Sequence, residues 1–348
     1  MDSGGVGART RTLHDGVIRI RLDSVCGLVV NAFVLRSAER VVLIDAGFPY
    51  TADQLLQGLA EVGLEARDVT DLLVTHLHVD HVGGALTLAD QWSPRIWVWS
   101  GARPAFGDAN AHLERAQRAP DWPNALIHLD AGDATRAERL QAMRAKPLLP
   151  LRQPETRADG TLGDVRPVEH GETITLGPWR FTCLDARGHG PYHAAWFEAE
   201  QGWLFGGDAV LAVPTPLVAA MGDDARAWWR TLDRLGALDV RVLFPGHGGS
   251  TTLWAPSLTR SRGTFQRVYD ATRAALLAGL ADPLDAAIRV WPHDRSRFAA
   301  RTAGALSTSA LVLESSVDGG WARPLGDGRW EPLSPLPEEA VCWVRDVE

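Results

Sequence analysis

The sequence predicts an α/β (α+β) protein in which several apolar strands are followed by alternating strands and helices. Val17 to Leu22 and Leu28 to Leu35 are rich in Val, Ile and Leu and read as strands, and Val41 to Ile44 reads as a fully buried strand. A helix is then expected from Thr51, as its cap, to about Val62, because its leucines recur at helical spacing. This order of elements indicates a sheet covered by helices.

The remaining elements follow from the same patterns. Apolar runs bounded by Gly, Pro or Asp predict further strands at Leu72–Thr75, Ile96–Trp99, Thr173–Leu176, Arg180–Leu184, Ala194–Glu198, Trp203–Phe205 and Val240–Phe244. A helix is expected from about Asp223 to Leu235. Residues 1–14 are expected to be a loose leader.

Composition restricts the class of protein and its partners. The 348 residues are 45% hydrophobic and 22% charged, which suits one large domain of about 250 residues and a small one. A net charge of -8 argues against a nucleic-acid partner. The 3 cysteines and the lack of a signal peptide or an apolar run of 18 residues predict a cytoplasmic protein without a membrane span. A homodimer is compatible with this composition.

A metal motif lies directly after the apolar run 72–74. His76, His78, Asp80 and His81 form an H-x-H-x-D-H pattern, and Gly83-Gly84 follows at the start of an expected helix. Alternation along an extended strand end would direct the first three side chains to one point and His81 to a second point beside it. Imidazole and carboxylate ligands suit zinc, manganese or iron. The pattern therefore predicts a metal site.

Other strands end in single polar residues that fit the same site. His189, Asp208 and His247 each follow an apolar strand within a glycine-containing loop. Asp45 also ends a buried strand, where it could form a turn or orient a metal ligand from behind, and we favour the second role. One such residue alone would be weak evidence for a metal site. Because all three, His189, Asp208 and His247, follow the ends of apolar strands, the prediction of a shared metal site is stronger.

A segment of different character separates the two halves of the expected site. Residues 102–164 contain two expected helices, at 106–118 and 134–145, and a polar loop at 154–163. An insertion of this kind can cover a pocket and set substrate choice. The alternative is a peripheral decoration.

Together these residues resemble the metallo-β-lactamase-fold hydrolase superfamily over about residues 15–250. The resemblance rests on the D-A-G strand end at Asp45, the H-x-H-x-D-H loop, and the G-H, G-D and P-G-H loops in the family's order. It implies a four-layer αβ/βα sandwich with two zinc ions, or manganese or iron, in a cleft at one edge of the sheets. Carried over by position, one metal would be held by His76, His78 and His189 and the other by Asp80, His81 and His247, with Asp208 bridging both.

One departure from the family pattern lies before the third histidine. Members commonly have T-P-G-H there, whereas this chain has Ala186-Arg187-Gly188-His189. Arg187 would then lie near the site entrance, where it could contact an anionic substrate group or remain solvated. His193 fits the position four residues on, which usually holds a small residue or one that supports the ligands.

The C-terminal part resembles a winged helix. Helices are expected at 259–278, 283–290 and 297–313, followed by a hairpin around Leu325-Gly326-Asp327-Gly328. This organisation is similar to a branch of the superfamily that includes thioester or ester hydrolases and an RNA nuclease. We therefore place a catalytic domain at 1–254 and a winged-helix-like domain at 255–348. The 11 Arg, no Lys and 12 Asp plus Glu of residues 259–348 favour a structural role over nucleic-acid binding.

The resemblance implies a hydrolase that acts on a small-molecule ester, thioester, lactone or related acyl bond. A water shared by the two metals would be deprotonated near neutral pH and attack the carbonyl carbon. Asp80 would orient this nucleophile, and Tyr192 or His193 could donate a proton or a hydrogen bond. Two alternatives remain open: a metal-dependent nuclease or phosphodiesterase, and an iron-dependent enzyme similar to the sulfur dioxygenases.

Overall fold

A computed structural model describes residues 9–23, 29–88, 91–102, 164–190, 192–212, 225–279, 320–325 and 330–340, together with single positions between 286 and 316. Fourteen strands are described within these ranges: β1 Thr10–Thr12, β2 Ile18–Asp23, β3 Val29–Arg36, β4 Val41–Ile44, β5 Asp71–Leu73, β6 Arg95–Trp99, β7 Asp164–Val168, β8 Thr173–Leu176, β9 Trp179–Asp185, β10 Ala194–Glu198, β11 Trp203–Gly207, β12 Val242–Pro245, β13 Ala322–Pro324 and β14 Trp330–Pro332. The α-helices are α1 Ala52–Glu61, α2 Val79–Thr87, α3 Ala225–Gly236 and α4 Trp254–Leu277.

The strands form two large sheets and a separate hairpin. The first sheet has the order β1-β2-β3-β4-β5-β6-β7, with β4 to β7 parallel, and the second has the order β12-β11-β10-β9-β8. Because β4, β5 and β6 are parallel, their carboxyl ends lie at one edge of the first sheet. β13 and β14 pair with each other.

Three clusters of buried side chains define four layers. One cluster joins the first sheet to α1 and α2, with Leu55 and Val82 from the helices. The second lies between the two sheets and includes Phe33 and Phe205, whose rings meet edge to face. The third joins the second sheet to α3 and α4, with Trp228 packed near Phe265. This helix, sheet, sheet, helix arrangement confirms the predicted αβ/βα sandwich.

Several details differ from the sequence predictions. Residues 10–12 are not a leader but pair with β2. Backbone hydrogen bonds to the neighbouring strand can hold an edge strand whose sequence lacks an apolar pattern. The short strand β7 was also missed. Thr51 does not cap α1 with its side chain; its hydroxyl donates to the Phe48 carbonyl within the preceding 3-10 turn.

The insertion helices and the 154–163 loop lie outside the described residues. In the C-terminal part, α4 and the β13–β14 pairing confirm the first helix and the hairpin strands. Ala286, Val290, Ser309, Val312 and Leu313 are helical, but the winged-helix assignment and the domain boundary stay predictions. Among the described residues, no helix has the length and hydropathy that a membrane crossing requires.

Candidate metal centre

The H-x-H-x-D-H motif lies in the connection between β5 and α2. His76 and His78 occupy the loop after β5, and Asp80 and His81 lie in the first turn of α2. The extended strand end predicted for His76 to Asp80 is therefore wrong. The amides of His81 and Val82 both donate to the His78 carbonyl, so the chain turns into the helix before Asp80. A carboxylate in the first turn also interacts favourably with the helix dipole.

The seven predicted ligands converge on one buried location. Their donor atoms form three overlapping groups: His76, His78 and His189; His76, His81 and Asp208; and Asp80, His81 and His247. Within each group the atoms lie within 4.8 Å of one another. The ligands come from the loop after β5, from α2 and from the loops after β9, β11 and β12. Both sheets therefore contribute to this location.

The distances between donor atoms suit metal coordination. Two ligand atoms about 2.1 Å from one tetrahedral ion are about 3.4 Å apart. Nε2 of His189 lies 3.2 Å from Nδ1 of His78 and 3.5 Å from Oδ2 of Asp208. Nε2 of His247 lies 3.3 Å from Oδ2 of Asp80 and 3.1 Å from Oδ2 of Asp208. Asp208 therefore contacts both sides of the cluster, as a bridging ligand must.

Several donor atoms in this cluster are buried and lack a hydrogen-bond partner. Within the described part of the chain, Nε2 of His76, Nε2 of His81 and Oδ1 of Asp208 make no hydrogen bond. A buried polar atom without a partner costs about 1–3 kcal/mol. Three such atoms in one group of ligands are explained if they bind one or two cations, since they make no hydrogen bond among the described residues.

Hydrogen bonds behind the ligands fix which ring nitrogen is available. Asp45 accepts from the Thr75 amide at 2.8 Å, the Thr75 hydroxyl at 2.7 Å and Nδ1 of His81 at 2.8 Å. The Thr75 hydroxyl, having donated to Asp45, accepts from Nδ1 of His76 at 3.0 Å. Nδ1 of His247 donates to the Val29 carbonyl at 2.8 Å. Each of these three imidazoles is thus held with Nε2 directed to the site.

This geometry supports the predicted orienting role of Asp45. Its φ of 56° is the one positive value of a non-glycine residue in the described ranges. Asp is among the few residues that tolerate this conformation. The turn places the buried carboxylate directly behind Thr75 and His81, where it holds two ligand-bearing positions.

The charges of the cluster are strongly coupled. Burial and the neighbouring His189 lower the pKa of His78 to about 3, and burial with His81 holds the pKa of His76 well below its usual range. Burial also lowers the pKa of His81, but Asp80, Asp208 and Asp45 outweigh it and raise that pKa to about 9. In the absence of metal, His81 therefore holds a proton that a bound cation would displace.

Two glycines permit the strand ends to approach the ligands. Gly207 has a φ of 49°, and a Cβ there would lie 2.7 Å from Oγ1 of Thr75 and 2.8 Å from Nε2 of His193. A Cβ on Gly246 would lie 2.3 Å from Oδ1 of Asp208. The G-D and P-G-H sequences are therefore needed for close packing of backbone against the site.

His193 lies behind the ligands rather than at an open surface. It is fully buried, its ring stacks on His76 with centroids 4.5 Å apart, and its Nε2 accepts from the Asp208 amide at 3.0 Å. Burial and His189 hold its pKa well below the usual range, which keeps the imidazole neutral and able to accept. This position favours support of Asp208 over proton donation to a substrate. Tyr192 is half-buried against the core beside the first sheet, and its catalytic role stays a prediction.

Arg187 is held by a neighbouring carboxylate. Its guanidinium pairs with both oxygens of Asp185 at 2.8–3.1 Å and lies over the Trp99 ring at 5.0 Å. Its role toward a substrate stays a prediction. Cys183 is a fully buried core residue of β9, and burial raises the pKa of its thiol to about 12.

One residue that supports the centre is not apparent from the sequence patterns. Asn31, in the apolar strand β3, is buried and donates through Nδ2 to the carbonyls of Pro245 and Gly248, both at 2.9 Å. These bonds brace the chain on both sides of His247. The available signal was a single amide side chain inside a long apolar run, since buried amides need specific partners.

Comparisons with known proteins agree with this geometry. The model of the metallo-beta-lactamase superfamily matches residues 27–247. The probable metallo-hydrolase YqjP of Bacillus subtilis is 28% identical over 259 residues, covering 68% of this chain and 73% of that protein.

Two solved structures share the fold. A metallo-beta-lactamase family protein from Thermus thermophilus has a TM-score of 0.64 at 23% identity and covers 91% of this chain and 98% of its own. A beta-lactamase domain protein from Burkholderia ambifaria has a TM-score of 0.65 at 19% identity and covers 94% of each chain. With the matched family model and the ordered ligand set, the chain belongs to the metallo-β-lactamase superfamily.

Proposed function

We propose that this protein is a hydrolase with two metal ions, zinc in the first instance, that cleaves an ester, thioester, lactone or related acyl bond of a small molecule. The observation that carries the proposal is the meeting of two ligand sets at Asp208. Similarity to the probable metallo-hydrolase YqjP over two thirds of the chain supports a hydrolytic reaction. Net charge of -8 disfavours a nucleic-acid substrate.

Two divalent ions in this position would lower the pKa of a shared water toward about 7 and polarise a substrate carbonyl. The protein's own contribution is to hold the ligands in place. His76, His78 and His189 would hold one ion, and Asp80, His81 and His247 would hold the other. Asp208 neutralises charge between them.

The residues behind the ligands contribute orientation. Asp45 holds Thr75 and His81, and His193 holds the backbone amide of Asp208. Such partners commonly change metal affinity or activity 10- to 100-fold, about 1.4–2.7 kcal/mol. Asp80 lies 3.3 Å from Nε2 of His247, which places its carboxylate on that side of the cluster.

Elemental analysis and a substrate panel test the proposal. Protein loaded with zinc, manganese or iron should bind close to two ions per chain and hydrolyse at least one acyl substrate of an ester, thioester and lactone panel. His78→Ala and His247→Ala should each lose about one ion. A stoichiometry of one iron per chain, or cleavage of a phosphodiester in preference to every acyl substrate, would contradict it.

A further inference from the structure

A polar cavity lies between the edge of the first sheet and the segment after β12. Its volume is about 380 Å³, and its lining includes Arg11, His14, Arg19, Gly249 and Ser250. None of these residues belongs to the ligand set. Thr251, next in the chain, pairs back onto Leu243, which directs this segment away from the ligand-bearing strand end.

Two arginines share this cavity without an acidic partner among the described side chains. Arg11 of β1 and Arg19 of β2 are directly opposite in the antiparallel register. Like charges in this arrangement repel each other. Nε of Arg19 is buried and makes no hydrogen bond to any described residue.

The neighbouring arginine of the same strand is arranged differently. Arg21 lies two residues beyond Arg19 and donates from Nε to Oδ1 of Asp23 at 2.7 Å. Burial, followed by the charges of Arg11 and Arg21, lowers the pKa of Arg19 below its usual value. Among the described residues, an acid therefore pairs with Arg21 of β2, whereas the half-buried Arg19 at the cavity has no acidic partner.

We propose that Arg11 and Arg19 bind a phosphate group of a small molecule in this cavity. Guanidinium groups present several donors in a planar arrangement that matches phosphate oxygens, and one anion between them would remove their mutual repulsion. His14 and the Ser250 hydroxyl supply further donors at the wall of the cavity. The volume lies at the lower end of the range for small-molecule pockets, about 300–1,000 Å³, and exceeds the need of a bare phosphate ion.

Titration calorimetry on the full-length protein as purified tests the site with inorganic phosphate, adenosine monophosphate and adenosine. Both phosphate compounds should bind and adenosine should not. Arg11→Gln and Arg19→Gln should each weaken binding about ten-fold or more, because each removes charge-assisted hydrogen bonds. Arg21→Gln is the matched control, since it removes the same charge from the same strand, and it should change affinity less than about two-fold.

The two phosphate compounds distinguish the source of the ligand. Tighter binding of adenosine monophosphate would assign the cavity to a phosphate monoester, and equal affinity would assign it to free phosphate. Asp208→Ala separates this site from the metal centre, which could also bind phosphate. Binding that survives Arg19→Gln, or that disappears in Asp208→Ala, would overturn the proposal.

Melting temperatures separate binding from folding. Without phosphate, Arg19→Gln should melt no lower than the wild-type protein, because the change relieves repulsion with Arg11. With phosphate, the wild type and Arg21→Gln should be stabilised, whereas Arg19→Gln should not. Equal stabilisation of all three proteins would show that phosphate acts elsewhere.

Discussion

Asp71, at the start of strand β5, and Asp208, in the ligand cluster beyond the other end of β5, are buried carboxylates with opposite surroundings. At its start, Asp71 is fully buried and accepts from Arg95 through both oxygens at 3.0 and 3.1 Å, from Nε1 of Trp97 at 2.9 Å and from the Thr70 hydroxyl at 2.7 Å. Beyond its other end, the ligand cluster contains buried atoms that make no hydrogen bond to a described residue, among them Oδ1 of Asp208.

The two carboxylates differ in the groups that balance their negative charge. The partners of Asp71 all come from the protein, so its negative charge is balanced in the folded chain itself. The charge of Asp208 is balanced by histidines, each of which can bind a metal ion in place of a proton. Burial alone therefore does not identify a site; several ligand-type atoms that make no hydrogen bond and lie together in one group do.

Replacement of Asp208 should have the largest effect. Asp208→Ala removes the carboxylate that contacts both halves of the cluster, so one metal should be lost or both bound more weakly. Activity should fall roughly 10³-fold or more, which corresponds to about 4 kcal/mol of transition-state stabilisation. Elemental analysis and turnover of the best acyl substrate measure both effects, and two retained ions with full activity would disprove the bridge.

Asp71→Asn should have the converse effect. Loss of one charge beside Arg95 and Arg40 should destabilise the fold by about 2 kcal/mol, less than the 3–5 kcal/mol of a fully buried pair because both arginines are partly exposed. Metal content and activity of the folded protein should not change. Denaturant unfolding measures the first expectation, and a loss of metal would show that the two ends of β5 are not independent.

Asp45 shares features with both carboxylates. Like Asp71 it accepts hydrogen bonds only from the protein, and like Asp208 it lies beside the predicted ligands, so Asp45→Asn tests which role it has. Asn tolerates the positive φ at this position, so the backbone can remain in place. Loss of the charge behind His81 should lower metal affinity about 10- to 100-fold. Chelator competition measures the change. Unaltered metal affinity combined with lower folding stability would show that Asp45, like Asp71, only stabilises the fold.

His193→Ala should have the smallest effect. The variant loses the acceptor for the Asp208 amide and the ring that stacks on His76, but no ligand atom. Two metals should remain and activity should fall modestly, about 10-fold or less. His193→Gln, which can restore an acceptor, should recover part of the loss. If His193→Ala loses metal as completely as Asp208→Ala, then His193 rather than His189 is the third ligand.

The sequence by itself predicted the seven residues that the fold gathers at the candidate centre and most of the strands that precede them. H-x-H-x-D-H is a local pattern, and His189, Asp208 and His247 follow apolar strands whose hydrophobicity can be read over a few residues. Strands such as Val41–Ile44, Thr173–Leu176 and Ala194–Glu198 have the expected bounds because their patterns are short and uninterrupted.

Only the tertiary structure decided which ring nitrogens face the site and where Asn31, Asp71 and Arg19 lie. Nδ1 of His247 is fixed by Val29, 218 residues away, and Asn31 braces Pro245 across 214 residues. Periodicity assigns a side chain to one face of an element, but it does not specify which distant element covers that face. The unpartnered atoms at the metal centre and in the arginine cavity became visible because whether a buried polar group is satisfied depends on all its neighbours in space.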